Sequence, residues 1–190
     1  MSRQTTARIV GGLFITATVA GVLSAVLLAG DRSRAGALLV VVMAAAIAMI
    51  PAAIFPVLRE RGEGVAVGYV VARTLEVVLL LPSALGPLVA ASGGDASWSG
   101  TYGTWGYPVS SLFFCLAVVL LNGALWRGAL VPRLISGWAL AAVVPYAVDA
   151  LLVLFGVVEV SAPAHAVLIA PLSVSEMVLA SWLLIKGFNR

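Results

Sequence analysis

The sequence predicts an all-α fold: a bundle of six transmembrane helices with both termini in the cytoplasm. The first observation is the composition, because 62% of the 190 residues are hydrophobic and only 10% are charged. Soluble domains are about 45–50% apolar and about 25% charged. A surface in contact with water cannot hold this excess, so a soluble globular domain and a disordered chain are excluded. The single cysteine, Cys115, excludes a disulfide-stapled secreted domain.

The second observation is the length of the apolar stretches. A transmembrane helix needs about 20 mostly apolar residues to cross about 30 Å of hydrocarbon. Six stretches meet this requirement, and we expect helices over residues 9–28, 35–55, 65–81, 108–126, 134–155 and 165–185. The short alternating segments of a membrane β-barrel are absent from the sequence. We therefore expect one polytopic membrane domain over residues 1–190.

Taken in order, the six stretches differ in their polar content. The first follows Arg3 and Arg8, as in a signal peptide, but its apolar part of about 20 residues exceeds the usual 7–15, and we interpret it as an uncleaved helix. The second is rich in alanine, which permits close helix packing. The third, fifth and sixth carry ionisable residues, and the fourth begins at Pro108 after an aromatic segment.

The third observation is the uneven distribution of the basic residues between the two sides. Cytoplasmic loops of membrane proteins carry an excess of Lys and Arg. With the N-terminus inside, the opposite side receives only Arg32 and Arg34. The cytoplasmic side receives the larger group, Arg3, Arg8, Arg59, Arg61, Arg127, Arg133, Lys186 and Arg190. The sixth helix then returns the C-terminus to the cytoplasm.

The longest predicted loop, residues 91–107, lies on the external side and contains no Lys or Arg. It is rich in Gly and Ser and carries Trp98, Tyr102, Trp105 and Tyr107. One interpretation is an interfacial aromatic belt on a flexible turn. The other is a lid over an outward-facing pocket, in which Trp105 would contact a bound substrate.

Four ionisable residues fall well inside the predicted helices: Arg73, Glu76, Asp149 and Glu176. Charged groups in hydrocarbon are costly unless they are paired. The rise of 1.5 Å per residue places Arg73 and Glu176 at a similar depth, so a buried pair between Arg73 and Glu76 or Glu176 is expected. One arginine cannot neutralise three carboxylates, so at least one acid should be protonated, hydrated or bound to another group.

Neighbouring tyrosines share helical faces with these charges. Tyr69 lies four residues before Arg73, and Tyr146 lies three residues before Asp149. Two interpretations stay open. In the structural one, the ion pair fixes helix register and Asp149 is bonded to Tyr146 or to a backbone carbonyl. In the functional one, these side chains line a polar cavity and act as a proton relay, a substrate anchor or a general acid.

Other chemistry has little support in the sequence. His165, the only histidine, is expected to be solvated at the outer end of the sixth helix, and we find no set of ligands for a metal. Phosphate-binding, metalloprotease, nucleophile-elbow and CxxC motifs are absent from the sequence. The basic residues are dispersed among loops, so no nucleic-acid partner is expected. We therefore expect neither a metal nor a cofactor.

Three segments carry a family resemblance. They are TARIVGGLFITATVAGVL at residues 6–23, WRGALVPRLISGWALAA at residues 126–142, and APLSVSEMVLASWLLIKGFN at residues 170–189. They resemble a bacterial multi-pass membrane family known only as a domain of unknown function, number four-three-eight-six. The resemblance implies a polytopic protein of the bacterial cytoplasmic membrane and marks Arg133, Asp149, Glu176 and Lys186 as family features. This chain is shorter than the family pattern, its second helix is richer in alanine, and the fourth helix retains only Asn122 of the polar features.

The residues support two main functional hypotheses. The first is an intramembrane acid/base enzyme of the cyclase or isomerase type, acting on a lipophilic small molecule. Its catalytic candidates are Glu76, Asp149 and Glu176, and its substrate-binding candidates are Tyr69, Arg73, Tyr146 and Trp105. The second is a small proton-coupled transporter or exporter of a hydrophobic compound that uses the same carboxylates. A third hypothesis is an accessory membrane subunit whose charges only set helix register. The lipid bilayer is a partner in all three, and the oligomeric state stays open.

Overall fold

The computed structural model describes residues 2–30 and 32–189. Within these residues the chain forms seven α-helices and no β-strand. They are α1 (Arg3–Ala29), α2 (Ser33–Arg59), α3 (Glu63–Leu80), α4 (Pro82–Ala91), α5 (Ser97–Arg127), α6 (Arg133–Leu154) and α7 (Pro163–Ile185). The predicted all-α fold is confirmed.

The predicted six membrane spans are also confirmed. Among the described residues, six helical segments are long and apolar enough to cross a bilayer. Helices α3 and α4 form one of these segments, Glu63–Ala91, which changes helix at Leu81 because Pro82 opens α4. Large apolar side chains such as Val26, Leu38 and Val167 are exposed along the outer faces. An exposed surface of this kind is compatible with lipid rather than with water.

Helix α5 begins earlier than the sequence predicts. The expected loop over residues 91–107 is short, because the chain is already helical from Ser97. The carboxylate of Asp95 accepts the backbone N–H of Ser97 at 2.9 Å, which satisfies the first N–H group of the helix and holds the pKa of Asp95 below its ordinary value. Tyr102 donates its hydroxyl to the carbonyl of Leu79 at 2.7 Å. These contacts stabilise a helix in a glycine-rich segment of low intrinsic helix propensity.

The six spans form a closed ring. Each span packs against its neighbours in the chain, and α7 closes the ring by packing against α1. All neighbouring spans are therefore antiparallel. The ring has a basic end, which holds the termini and the loops at residues 60–62 and 128–132, and an opposite end, which holds the loop at residues 155–162.

Contacts between distant parts of the sequence close the basic end. Gln4 donates its side-chain amide to the carbonyl of Phe188 at 3.3 Å, and Arg3 pairs with Glu60. Asn189 donates its backbone and side-chain N–H groups to the carbonyls of Leu130 and Ala129, at 2.8 and 2.9 Å. The N-terminal helix, two loops and the C-terminal tail are thus joined at one end of the bundle.

The main hydrophobic core fills the half of the ring nearest the basic end. All six spans contribute to it, although the third span does so through α3 and not through α4. The buried side chains include Val10, Ile54, Ala66, Leu125 and Leu183. The residues of α5 in this core are 117–125 and those of α7 are 179–183, so the core stops short of the opposite half of each helix. The ring is therefore packed solid on the basic side.

Candidate functional site

A cavity of about 480 Å³ occupies the half of the ring that the main core leaves open. Its volume lies in the range of small-molecule sites. Its walls come from α1, α2, α3, α5, α6 and α7, and its lining residues are Phe14, Ala17, Thr18, Gly21, Val22, Ala25, Met43, Ile47, Ile50, Arg73, Glu76, Leu80, Tyr107, Ser110, Ser111, Phe114, Tyr146, Ile169, Ser173 and Glu176.

Three of the predicted charged residues meet at the cavity. Arg73 is buried, and its Nη1 atom donates to both carboxylate oxygens of Glu76, at 3.0 and 2.8 Å. The Nη2 atom of Arg73 lies 3.7 Å from Oε1 of Glu176. This distance is within ion-pair range but is too long for a hydrogen bond. Arg73 is therefore bonded to Glu76 and only near Glu176.

The two carboxylates also differ in their exposure. The side chain of Glu76 is 9% exposed, while that of Glu176 is 19% exposed. Glu76 lies on the same helix as Arg73, three residues further along, so the helix itself brings the pair together. Glu176 reaches the cluster from α7 across the ring. Of the two acids, Glu176 is therefore the more accessible from the cavity.

Aromatic rings surround the Arg73 guanidinium. Its Cζ atom lies 5.7 Å from the ring centre of Phe14, 5.8 Å from that of Tyr69 and 5.2 Å from that of Phe114. The Nε atom of Arg73 donates to the hydroxyl of Tyr69 at 3.3 Å. Cation–π contacts of this kind stabilise a cation where water is excluded. Tyr69 is fully buried behind Arg73 and is not among the residues that line the cavity.

Hydroxyl groups provide the remaining polar surface of the cavity. Tyr107, Ser110 and Ser111 on α5, Tyr146 on α6 and Ser173 on α7 all line it. The hydroxyl of Ser110 donates to the backbone carbonyl of Glu76 at 3.1 Å, which ties α5 to α3 beside the ion pair. The cavity is consequently amphipathic, with the charges and most of the hydroxyls on one side and, apart from Thr18, the apolar residues of α1 and α2 on the other.

Asp149 lies apart from this cluster and has its own partner. Its Oδ2 atom is 2.8 Å from Nδ1 of His165, and both side chains are buried. The ring of Tyr107 stands edge-on to that of His165, with centres 6.0 Å apart. The expectation that His165 is solvated is wrong, because α7 begins at Pro163 and its first turn turns His165 inward against α6. Asp149 is not among the residues that line the cavity, and its Oδ1 atom is buried without a hydrogen-bond partner.

Trp105 also lies outside the cavity. It is 54% exposed and lines a separate surface groove with Trp98 and Tyr102. The structure thus brings Arg73, Glu76, Glu176 and Tyr146 to one cavity, with Tyr69 directly behind Arg73. It places Asp149 beside the cavity's opposite end and Trp105 on the outside of α5.

Several residues at the site were not candidates in the sequence. Phe14 and Phe114 surround the arginine, and Ser110 and Ser111 face the cavity. Aromatic and serine residues occur throughout such a chain, so their type alone does not mark them. A usable signal was the spacing of Ser110, Ser111 and Phe114 on one side of α5, level with the charges of α3. Within the described ranges, no group of three or more His, Cys, Asp or Glu side chains is arranged to hold a metal ion.

Comparison with known protein families assigns this chain to a family. Neither the curated proteins nor the solved structures include a match to this sequence. A family model described as a domain of unknown function (DUF4386) matches residues 5–187. Because this match covers nearly the whole chain, the protein is a multi-pass membrane protein that belongs to the DUF4386 family.

Proposed function

We propose that the protein is an intramembrane acid/base enzyme of the isomerase or cyclase type, located in the bacterial cytoplasmic membrane and acting on a lipophilic small molecule. The cavity is its active site, and Glu176 is the residue that transfers the proton. The observation that carries the proposal is the unequal sharing of Arg73 between two acids. Glu76 receives both short hydrogen bonds, and Glu176 borders the cavity at 3.7 Å.

The charge balance supports a transferable proton at this place. One guanidinium and two carboxylates leave a net charge of −1 if both acids are ionised. Uncompensated charge in a low-dielectric site is costly. A single proton on the pair of carboxylates makes the cluster neutral. Glu176 is the acid with the weaker hold on Arg73 and the greater exposure, so it is the group from which a substrate can take that proton.

The proposed reaction needs no cofactor. The Glu176 carboxylic acid donates its proton to a carbon–carbon double bond of the substrate, and the electron pair of that bond forms the new C–H bond. The resulting carbocation loses a proton from a neighbouring carbon to the Glu176 carboxylate, and a double bond forms at the new position. The enzyme returns to its starting state, so the net change is an isomerisation. If an internal double bond attacks the cation before the proton is lost, the product is a ring.

The other side chains have supporting roles in this proposal. Arg73 and Glu76 form a fixed ion pair that neighbours the reacting carboxyl. The aromatic rings of Phe114 and Tyr146, which meet edge-on with centres 5.2 Å apart, form a wall that can stabilise a positive charge on the substrate. Asp149 acts indirectly, because its contact with His165 holds α6 against α7 at the opposite end of the cavity.

The experiment detects the chemistry without knowledge of the substrate. Bacterial membranes that contain the protein are incubated in D₂O, and their lipophilic compounds are extracted and analysed by mass spectrometry. Proton transfer to carbon leaves deuterium that does not wash out. We expect a compound that gains deuterium with the wild-type protein and gains none with Glu176→Gln.

The control is Glu159→Gln, an acid at the opposite end that is not part of the cavity lining. It should incorporate deuterium like the wild type. The proposal fails if Glu176→Gln membranes incorporate as much deuterium as wild-type membranes, or if neither exceeds membranes without the protein.

One observation favours transport as a second candidate function. Tyr107 lines the cavity and also lines a second cavity of about 500 Å³ at the opposite end, next to the loop at residues 156–161. The Tyr107 side chain thus borders both the site and the cavity at the opposite end, the position that a gate would occupy. Proton-coupled transport predicts flux of a lipophilic compound in proteoliposomes that depends on a pH gradient and is lost in Glu176→Gln. Deuterium incorporation without such flux favours the enzyme.

A further inference from the structure

Two helices that close the ring, α1 and α7, also form one wall of the cavity. Near the basic end they are in close contact, because a Cβ atom on Gly11 would lie 2.7 Å from the carbonyl oxygen of Ala180 and 3.1 Å from the backbone nitrogen of Leu184. The helices are antiparallel, and both rise about 1.5 Å per residue. Moving along α1 from Gly11 to Val22 therefore corresponds to moving back along α7 to the region of Ile169 and Ser173.

Near Val22 and Ser173, the cavity lies between α1 and α7. Gly21, Val22 and Ala25 on α1 and Ile169 and Ser173 on α7 all line the cavity. The residues of α1 that belong to the main core or pack against it end at Ile15. Beyond it, the described core residues of α1 pack against α2 and α3, as Ala17 does with Ala46 and Ile47. The two helices thus have the cavity between them in this half of the ring.

Several of these lining residues are also exposed on the outside of the bundle. Val22 is 60% exposed, and Ala25 and Ser173 are exposed as well. A residue that both lines a cavity and faces outward lies at an opening. The outer faces at this level carry Val26 and Val167, which are exposed apolar residues of a membrane-spanning segment. The opening between α1 and α7 therefore faces hydrocarbon.

Two other ways into the cavity, from the basic end and past Tyr107, are obstructed. The main hydrophobic core fills the ring on the basic side. At the opposite end, Tyr107 stands between the two cavities and packs edge-on against His165, which is held by Asp149. Neither group of side chains blocks the gap between α1 and α7.

We propose that the α1–α7 gap, lined by Val22, Ala25, Ile169 and Ser173, is a lateral portal through which an uncharged amphiphile enters from the bilayer, with its polar group at Glu176 and its hydrocarbon chain in the portal. This inference rests on the proposed function and names its substrate class. Ile169, Ser173 and Glu176 are spaced four and three residues apart, so they form one stripe of α7 that leads from the portal to the charged cluster.

The chemistry of the walls selects the uncharged head group. An anionic head group would add negative charge beside Glu76 and Glu176, where one arginine is already shared. A cationic head group would have to leave the membrane interface and cross hydrocarbon unpaired. A hydroxyl, carbonyl or epoxide needs only hydrogen-bonding partners, and Ser111, Tyr146, Ser173 and Glu176 provide them around the cavity.

The experiment uses three photoreactive probes of equal chain length, namely a long-chain alcohol, the fatty acid and the amine, each with a diazirine in its chain. The protein is reconstituted in phosphatidylcholine nanodiscs and irradiated, and the labelled residues are located by mass spectrometry. We expect the alcohol to label cavity residues of α5, such as Phe114, and unlabelled alcohol to compete. We expect the fatty acid and the amine to label only outward-facing residues.

Two variants narrow the portal from opposite sides, Val22→Trp and Ser173→Trp. Both should lose labelling of Phe114. The matched controls are Val26→Trp and Val167→Trp, which add the same ring to exposed positions of α1 and α7 outside the cavity lining and should be labelled like the wild type. Because all four rings are placed at exposed positions, the bundle should fold in each case, and its thermal unfolding midpoint checks this.

Persistent labelling of Phe114 in both portal variants overturns the lateral route, and equal labelling by the fatty acid or the amine overturns the uncharged head group. The experiments distinguish a failure of the portal proposal from a failure of the proposed reaction. In Glu176→Gln the alcohol should still reach Phe114 although deuterium incorporation is lost. If the alcohol does not label Phe114 in wild-type protein that does incorporate deuterium, the portal proposal is overturned and the proposed reaction is not.

Discussion

Arg73 donates from a single guanidinium nitrogen to both oxygens of Glu76, at 3.0 and 2.8 Å, and so forms a buried ion pair within one turn of α3. The second terminal nitrogen faces Glu176 on α7 at 3.7 Å. A local pair is therefore extended across the ring to an acid that borders the cavity. The first prediction concerns the unequal importance of these contacts for stability.

Replacing Arg73 should destabilise the bundle far more than replacing Glu176. Arg73→Met leaves two buried acids without a cation, and breaking a buried pair costs about 3–5 kcal/mol. Glu176→Gln removes a contact too long for a hydrogen bond and should cost about 1 kcal/mol or less. The free energy of unfolding in mixed micelles measures both. The double variant Arg73→Met/Glu76→Met should be more stable than Arg73→Met alone, and equal losses for Arg73→Met and Glu176→Gln would contradict this arrangement.

The second prediction concerns the close contact of α1 with α7. Gly11→Ala places a Cβ atom 2.7 Å from the backbone carbonyl of Ala180, so the helices must separate. Overpacking of this kind costs about 1–3 kcal/mol. The neighbouring Gly12 is a matched control, because a Cβ atom there meets nothing within 4 Å. Gly12→Ala should be neutral or slightly stabilising, since alanine favours a helix.

Thermal unfolding midpoints in detergent compare these two single-methyl changes. A lower midpoint for Gly11→Ala with an unchanged midpoint for Gly12→Ala is expected. If the two variants unfold at the same temperature, then α1 and α7 are not in contact at Gly11. The gap between these helices would then extend toward the basic end.

The third prediction uses the fact that His165 is the only histidine in the chain. With ¹⁵N-labelled histidine and no histidine tag, the imidazole signals come from one side chain. A proton on Nδ1 donated to Asp149 should give a hydrogen-bonded ¹⁵N–¹H correlation, because the two heavy atoms are 2.8 Å apart. Asp149→Leu should abolish this correlation, while Glu159→Gln should leave it unchanged. A ring in fast exchange with water in the wild type would show that His165 is solvated.

The number of spans was predictable because each span must be long and apolar to cross a membrane. Length and hydrophobicity are properties of one continuous stretch of sequence. The contact between Arg73 and Glu76 was predictable for a similar reason, since it spans less than one helical turn. The contact between Asp149 and His165 was not, because it joins two helices whose rotation about their axes depends on the packing of the whole ring. His165 therefore looked like a surface residue at the end of a helix.

The early start of α5 was hidden for a different reason. Its first turns contain Gly100, Gly103 and Gly106 among polar residues, which is typical of a loop. The helix is stabilised by tertiary contacts, such as the hydroxyl of Tyr102 on the carbonyl of Leu79 and the packing of Gly86 against Ser99. Propensity alone does not contain that information. The cavity is equally invisible in the sequence, because it is defined by the residues that are too small or too distant to fill it.

The fourth prediction concerns orientation. The basic end of the bundle should face the cytoplasm, because the excess of Lys and Arg lies there. In a Cys115→Ala background, Gly64→Cys reports on the basic end and Ser161→Cys on the opposite end, and both positions are exposed. A membrane-impermeant maleimide added to intact cells should label Ser161→Cys and should label Gly64→Cys only after permeabilisation. The reverse pattern would place both termini outside.

The last prediction tests the shared proton. The cluster of Arg73, Glu76 and Glu176 holds one proton if it is neutral, so the wild type should show the C=O stretch of a carboxylic acid in pH-induced infrared difference spectra. Glu176→Gln removes this band together with the acid. Glu76→Gln should remove it as well, because the guanidinium is then free to pair with an ionised Glu176, 3.7 Å away. Either substitution alone thus leaves one cation and one carboxylate.

The control for this band is Asp149→Asn, which alters the acid paired with His165 and should leave the band of the shared proton in place. A band that persists in Glu176→Gln and vanishes in Asp149→Asn would assign the proton to Asp149, which is paired with His165. Because proton transfer by Glu176 requires a proton to give, that result would remove the proposed acid/base chemistry, whereas loss in both glutamate variants would tie the proton to the carboxylate pair of Glu76 and Glu176 that shares Arg73.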